Sequence, residues 1–135
     1  MIAAICSCHG IWEWATRDYS FNAEAYLDFL RQCKRRWRRR EPMIVFQDCS
    51  KVHTSKIAKA GYQELGVKAI WNVAYKPEYN CGIERMWAQM KAKFRPVLLG
   101  FMLNVKAKDM PLERAVEHVM SNFDQSSLPS FIARA

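Results

Sequence analysis

Long hydrophobic runs are missing from this 135-residue chain. The longest, residues 97–103 "VLLGFML", falls far short of a bilayer span. No repeat or low-complexity block interrupts the sequence, and Gly and Pro number only five each, so neither a repeat array nor a disordered linker is indicated. The opening "MIAAIC" has no positively charged segment and too short an apolar stretch for a signal peptide. The expectation is a soluble, intracellular protein with no membrane partner. Paired cysteines are lacking as well. Cys6, Cys8, Cys33, Cys49 and Cys81 are odd in number and lie on segments that read as core, which suits free buried thiols in a reducing compartment. Cys6, Cys8 and His9 have no second ligand pair, so strand residues explain them better than zinc does.

Acidic residues are also short. Thirteen Asp and Glu against twenty-one Lys and Arg leave a formal charge of +8, which favours a polyanionic partner but says nothing about fold. Half of the residues are hydrophobic and a quarter charged, the balance of a globular domain large enough to bury a core unaided.

Periodicity orders the chain as hairpin, helix, strand, helix, strand, helix, helix. Residues 2–8 and 11–17 are rich in β-branched and aromatic side chains and flank His9-Gly10, a two-residue turn. Asn22 suits a helix N-cap, and Tyr26, Phe29, Leu30, Cys33 and Trp37 follow at helical spacing. That helix runs into "KRRWRRR", residues 34–40, which reads equally as a phosphate-binding or nuclear-localisation run and as a solvated helix end.

Residues 42–48, "PMIVFQD", and 67–75, "VKAIWNVAY", read as buried strands on either side of a helix over 55–65 closed by Gly66. Asn80 can cap the next helix, Pro96 is expected to end or kink it, and Pro111 opens a last one. Trp71 and Trp87 read as core. The whole is an α/β domain with a mixed sheet flanked by helices, over residues 1–125, with 126–135 as a frayed tail.

Two acids stand out. On a helical wheel Ile83, Trp87, Met90 and Phe94 form one stripe, with Glu84, Lys91 and Arg95 aligned along its edge. Glu84 lies in a first turn, where the helix dipole keeps a carboxylate ionised. A first-turn acid is common and by itself means little. Asp48, however, closes a strand at the end where open α/β sheets bring side chains into a crevice. Hard oxygen donors from a strand end and a nearby helix suit Mg²⁺ or Mn²⁺.

"DCSKVHTSK" (48–56) and "YKPEYNCGIERMWAQMK" (75–91) resemble the second half of the catalytic domain of mariner-like DDE transposases. The family pattern falls on Asp48, His53, Tyr75, Pro77, Asn80, Ile83, Glu84, Trp87 and Lys91, with 35 residues between Asp48 and Glu84. Segments upstream resemble its second and third strands and the helix after them, so about residues 1–100 are covered. The chain departs in two ways. Asn80-Cys81-Gly82-Ile83-Glu84 replaces Asn-Pro-Ile-Glu, and the family's first catalytic Asp lies on a strand that would precede Met1.

The resemblance implies a ribonuclease-H-like mixed sheet lacking its first, central strand, in an amino-terminally truncated transposase or endonuclease domain. It implies Mg²⁺ (or Mn²⁺) on Asp48 and Glu84, and His53 and Asn80 as organisers of the site. Lys91, with Arg95, Lys51 and Lys56 near it, would meet the DNA of transposon ends and target. Water would attack a phosphodiester, and the freed 3′-hydroxyl would then attack target DNA. A homodimer is compatible with it, a small-molecule substrate is not, and the location would be the nucleus, or the nucleoid in a bacterium. Two Mg²⁺ carry four positive charges against the two negative ones of Asp48 and Glu84, which leaves a non-catalytic, transposase-derived DNA- or protein-binding module as the alternative. Glu13, between Trp12 and Trp14, is expected to face solvent rather than to substitute.

Overall fold

The computed structural model describes residues 1–6, 10–73, 81–103 and 111–123. Strands β1 (Ile2–Cys6) and β2 (Gly10–Ala15) form an antiparallel pair with a bulge between Ala4 and Ile5. Gly10, at φ 68° in the left-handed region, opens β2 opposite Cys6 rather than forming the second residue of the expected two-residue turn. Helix α1 (Ala23–Arg36) starts at Asn22, whose side chain accepts the Ala25 N–H at 2.9 Å, and ends on three cations that complement its carboxyl end.

Strand β3 (Met43–Gln47) pairs in parallel with β4 (Val67–Trp71), Met43 opposite Val67 and Gln47 opposite Trp71. Between them lie a single turn, α2 (Lys51–Thr54), absent from the periodicity, and α3 (Lys56–Leu65). Ser55 caps α3 through the Ala58 N–H, and Gly66, at φ 60° and ψ 38°, closes it as expected. Helix α4 (Cys81–Leu103) and α5 (Pro111–Ser121) complete the order. The expected cap at Asn80 and the tail 126–135 lie outside the described residues.

Two clusters make the core. In one, Tyr26, Phe29, Leu30 and Cys33 of α1 pack with Met43 and Val67, and with Ile2 and Ala4 from the other sheet. In the second, Met86 and Met90 of α4 and Val116, Val119, Met120 and Phe123 meet Ala3 and Ile5 on the opposite face of β1. The strand's alternation sends even residues to α1 and odd residues to α4 and α5. This is a mixed α/β fold of two small sheets flanked by helices, consistent with a ribonuclease-H-like fold lacking some strands. No helix among the described residues is long and apolar enough to cross a membrane.

Several expectations change. Strand β3 is not buried on both faces, since Ile44 and Phe46 remain 56% and 52% exposed. Trp71 is partly open at 39%, although its ring packs edge-on against Tyr62 of α3 with centroids 6.2 Å apart, because it lies at the end of β4. Helix α4 runs through Pro96 rather than ending there; Pro96 lies on its exposed side and costs the helix one hydrogen bond. Its most buried side chain is Met86, one position from Trp87, so the inward face is rotated from the expected stripe. Glu13 does not face solvent: its side chain is 16% exposed and pairs with Arg36 at 3.0 Å.

The two sheets share no strand pairing. Among the described residues each of β1 and β3 is paired on one side only, and a cavity of about 570 Å³ lies between their open edges. Consecutive residues of both strands line it, 1–6 and 43–48, which is the signature of edges rather than faces.

Two outcomes are expected. A Cβ at Gly61 would overlap the side chain of buried Leu27, where α3 crosses α1. Gly61→Ala should therefore destabilise by about 1–3 kcal/mol in urea unfolding, the usual cost of overpacking, rather than add helix propensity. Burial pushes the Cys33 thiol up to about 12, and its side chain is inaccessible. Iodoacetamide should label Cys49 in the native protein and reach Cys33 only after unfolding.

Candidate active site

The strand that carries Asp48 ends on a polar anchor. Gln47 is one of two polar side chains among the buried described residues, 7% exposed in an otherwise apolar run. Its Oε1 accepts from the Tyr26 hydroxyl of α1, and its Nε2 donates to the Tyr62 hydroxyl of α3 at 2.8 Å. The Tyr62 hydroxyl in turn donates to the His53 carbonyl at 2.7 Å. One satisfied network thus ties a strand and two helices to the turn after the strand, as buried polar groups require. Burial drives the Tyr26 phenol well above its ordinary range, so it stays a neutral donor.

Asp48 follows at once. Its Oδ1 accepts the Ser50 N–H at 3.0 Å, which folds the chain into α2, and lies 2.8 Å from His53 Nδ1. The His53 ring packs on Tyr26 with centroids 4.5 Å apart. Histidine is therefore fixed on both sides, by a carboxylate and by an aromatic face. The Ser50 hydroxyl adds to the hold on this carboxylate. Partial burial works to raise the Asp48 pKa, but the Ser50 N–H and the neighbouring His53 outweigh it and hold the carboxyl below its ordinary 3.8.

Glu84 stands exposed in the first turn of α4. It lines the cavity between β1 and β3 together with Asp48 and His53. Two acids 36 positions apart in sequence thus border one space, with Ile83 and Trp87 as its apolar wall. Lys91 and Arg95 are exposed further along α4, about 10 and 16 Å beyond Glu84 at ~1.5 Å per residue. They do not line this cavity; Lys91 borders a second groove with Arg17, Asp18 and Glu113. Lys51 and Lys56 are exposed on α2 and at the start of α3, beside Asp48 in sequence but outside the cavity lining. Asn80 lies outside the described residues. Tyr26, Gln47 and Tyr62 were not singled out by sequence reasoning, although a glutamine closing the apolar run 43–47 was the available signal.

Asp48 and Glu84 suit a hard divalent ion that takes one or two protein carboxylates and completes its shell with water and phosphate. Among the described residues no group of three or more His, Cys, Asp or Glu side chains is arranged to hold a metal. By charge, two carboxylates balance one divalent ion and not a pair.

The depressed Asp48 pKa sets a sign for acid stability. A carboxylate lowered on folding stabilises above its unfolded value and loses that contribution as pH falls through the folded one. In metal-free buffer, wild type should lose stability relative to Asp48→Asn as pH drops below about 4, and the difference should be flat above about pH 5. Urea midpoints between pH 2.5 and 6 would check this.

No curated protein matches the chain. A family model for DDE superfamily endonucleases matches residues 1–99, which spans both sheets, the turn that holds Asp48 and His53, and the helix that holds Glu84. The chain belongs to the DDE superfamily endonuclease family.

Proposed function

We propose that this domain is a transposase of mariner-like type, acting in metal-dependent DNA cleavage and strand transfer. The family implies DNA as the partner, and its enzymes generally use divalent metals. The observation that carries the reading is the convergence of Asp48, His53 and Glu84 on one cavity.

Asp48 and Glu84 would hold Mg²⁺ or Mn²⁺, which supplies Lewis acidity toward the scissile phosphodiester. Asp48 would offer a carboxylate oxygen, while the Ser50 N–H and His53 hold Oδ1 and keep the carboxylate ionised at neutral pH. His53 is the organiser on the strand side and Asn80 its counterpart on the helix side. Ile83 and Trp87 keep bulk water from one wall. Lys51 and Lys56 meet phosphates beside Asp48, and Lys91 and Arg95 meet them further along α4. In cleavage the bond made is from a water oxygen to phosphorus and the bond broken frees a 3′-hydroxyl. In transfer that hydroxyl bonds to a phosphorus of target DNA, the target's own P–O3′ bond breaks, and the proton of the attacking hydroxyl ends on the 3′-oxygen released. The unit would be residues 1–125, acting in the nucleus and as a homodimer when two ends are joined.

A second reading follows from one specific observation. Asp48 and Glu84 are the only acids among the described residues that line the cavity, and Glu13 is engaged with Arg36. A domain left with two carboxylates is suited to binding DNA without cutting it.

Supercoiled plasmid with Mn²⁺ separates the two. Under the catalytic reading wild type nicks, Asp48→Ala and Glu84→Ala fall to background, and His53→Ala loses about 10–100-fold, as outer groups at metal sites do. Salt-sensitive binding with no nicking by wild type would establish the binding module. Equal nicking by wild type and both alanine variants would overturn the assignment of Asp48 and Glu84.

A further inference from the structure

The basic run 34–40 is not used by the site. Lys34, Arg35 and Arg36 form the last turn of α1 and complement its dipole, an effect confined to that turn. Trp37 then ends the helix in extended backbone, at φ −71° and ψ 102°. Arg38, Arg39 and Arg40 therefore lie beyond the helix and are not explained by its dipole.

That segment is tied down. The Trp37 ring packs edge-on against Trp12 at 5.9 Å, and its Nε1 donates to the Glu41 carbonyl at 2.8 Å. Arg39 covers the Trp37 ring at 5.4 Å, and Arg36 is held by Glu13. Arg35, Arg38 and Arg40 are exposed and have no carboxylate partner among the described residues. Three guanidinium groups are thus presented on an anchored support. They stand at the opposite end of β3 from Asp48, about 17 Å away or more at ~3.4 Å per strand residue.

We propose that Arg35, Arg38 and Arg40 form a second binding surface for the phosphate backbone of duplex DNA, separate from the cavity that holds Asp48 and Glu84. Strand β3 alone spans about five base pairs, since phosphates on one DNA strand recur every ~3.4 Å along the helix axis. One duplex lying along the domain reaches both ends. A basic segment read by an acidic receptor protein must be free to extend into a groove, whereas here Trp37 folds it back through the Glu41 carbonyl. Guanidinium groups carried on an anchored backbone suit a regular array of phosphates better. The inference rests on DNA as partner and not on catalysis.

The test uses the full chain in EDTA, so nicking plays no part. Fluorescence anisotropy with a labelled 20-base-pair duplex is followed from 50 to 200 mM KCl. The Arg35/Arg38/Arg40→Gln variant should flatten the slope of log affinity against log salt by about 2.7, at ~0.9 for each phosphate no longer neutralised. Replacement of the same three by Lys retains the charge and should keep the slope, which separates charge from misfolding. An unchanged slope in the Gln variant overturns the proposal. So does a Gln variant that keeps its DNA slope but loses binding to poly-glutamate, which would assign the patch to an acidic protein. Failure of nicking with an intact arginine effect would count against the catalytic reading alone.

Discussion

One apolar face holds this domain together. Tyr26, Phe29, Leu30 and Cys33 of α1 pack beneath both small sheets, and no ladder of hydrogen bonds joins β1–β2 to β3–β4. A fully buried Phe or Leu contributes about 1.5–3 kcal/mol, so a few such side chains set the relation between two otherwise separate sheets. Helix α4 repeats the arrangement on the other face of β1 through Met86 and Met90. The position of Glu84 relative to Asp48 is therefore set by side-chain packing, without a continuous sheet.

The polar device is more local. Gln47 would be costly in an apolar strand were it not bonded to Tyr26 on one side and Tyr62 on the other. Because Tyr62 also bonds the His53 carbonyl, the same network fixes the turn in which His53 faces Asp48. Apolar support thus brings the elements together, and a short hydrogen-bond chain sets the direction of the carboxylate. Between the sheets the open edges of β1 and β3 leave a space with backbone on two sides and two acids in its lining. Charge is divided in the same way: acids border the cavity, while the unpaired arginines lie at the far end of β3.

Much of this was legible in the residues. Asn22, Ser55 and Gly66 signal helix ends by their own chemistry, and helical spacing located the inward face of α1. The resemblance named His53 as an organiser near Asp48, and in the structure the five-residue step between them covers a strand end and one helical turn, which brings the two side chains together. Burial was harder to read. A short apolar run looks the same whether helices cover one face of a strand or both, and β3 with Ile44 and Phe46 exposed is the one-sided case. Met86 was missed because Ile83, Trp87, Met90 and Phe94 define a plausible stripe, while the partner helix selects a face slightly rotated from it. Glu13 was misplaced for a similar reason: the pattern of β2 shows its own alternation but not that Arg36 reaches it from α1.

The most direct measurement of a single ion shared by the two acids is paramagnetic broadening of amide resonances on titration with Mn²⁺. The Ser50 and Arg85 amides, one beside each acid, should broaden together at substoichiometric Mn²⁺, and Glu84→Gln should abolish the effect at Ser50 as well. Broadening at Ser50 that persists unchanged in Glu84→Gln would mean that Asp48 binds alone, and a shared ion would be ruled out.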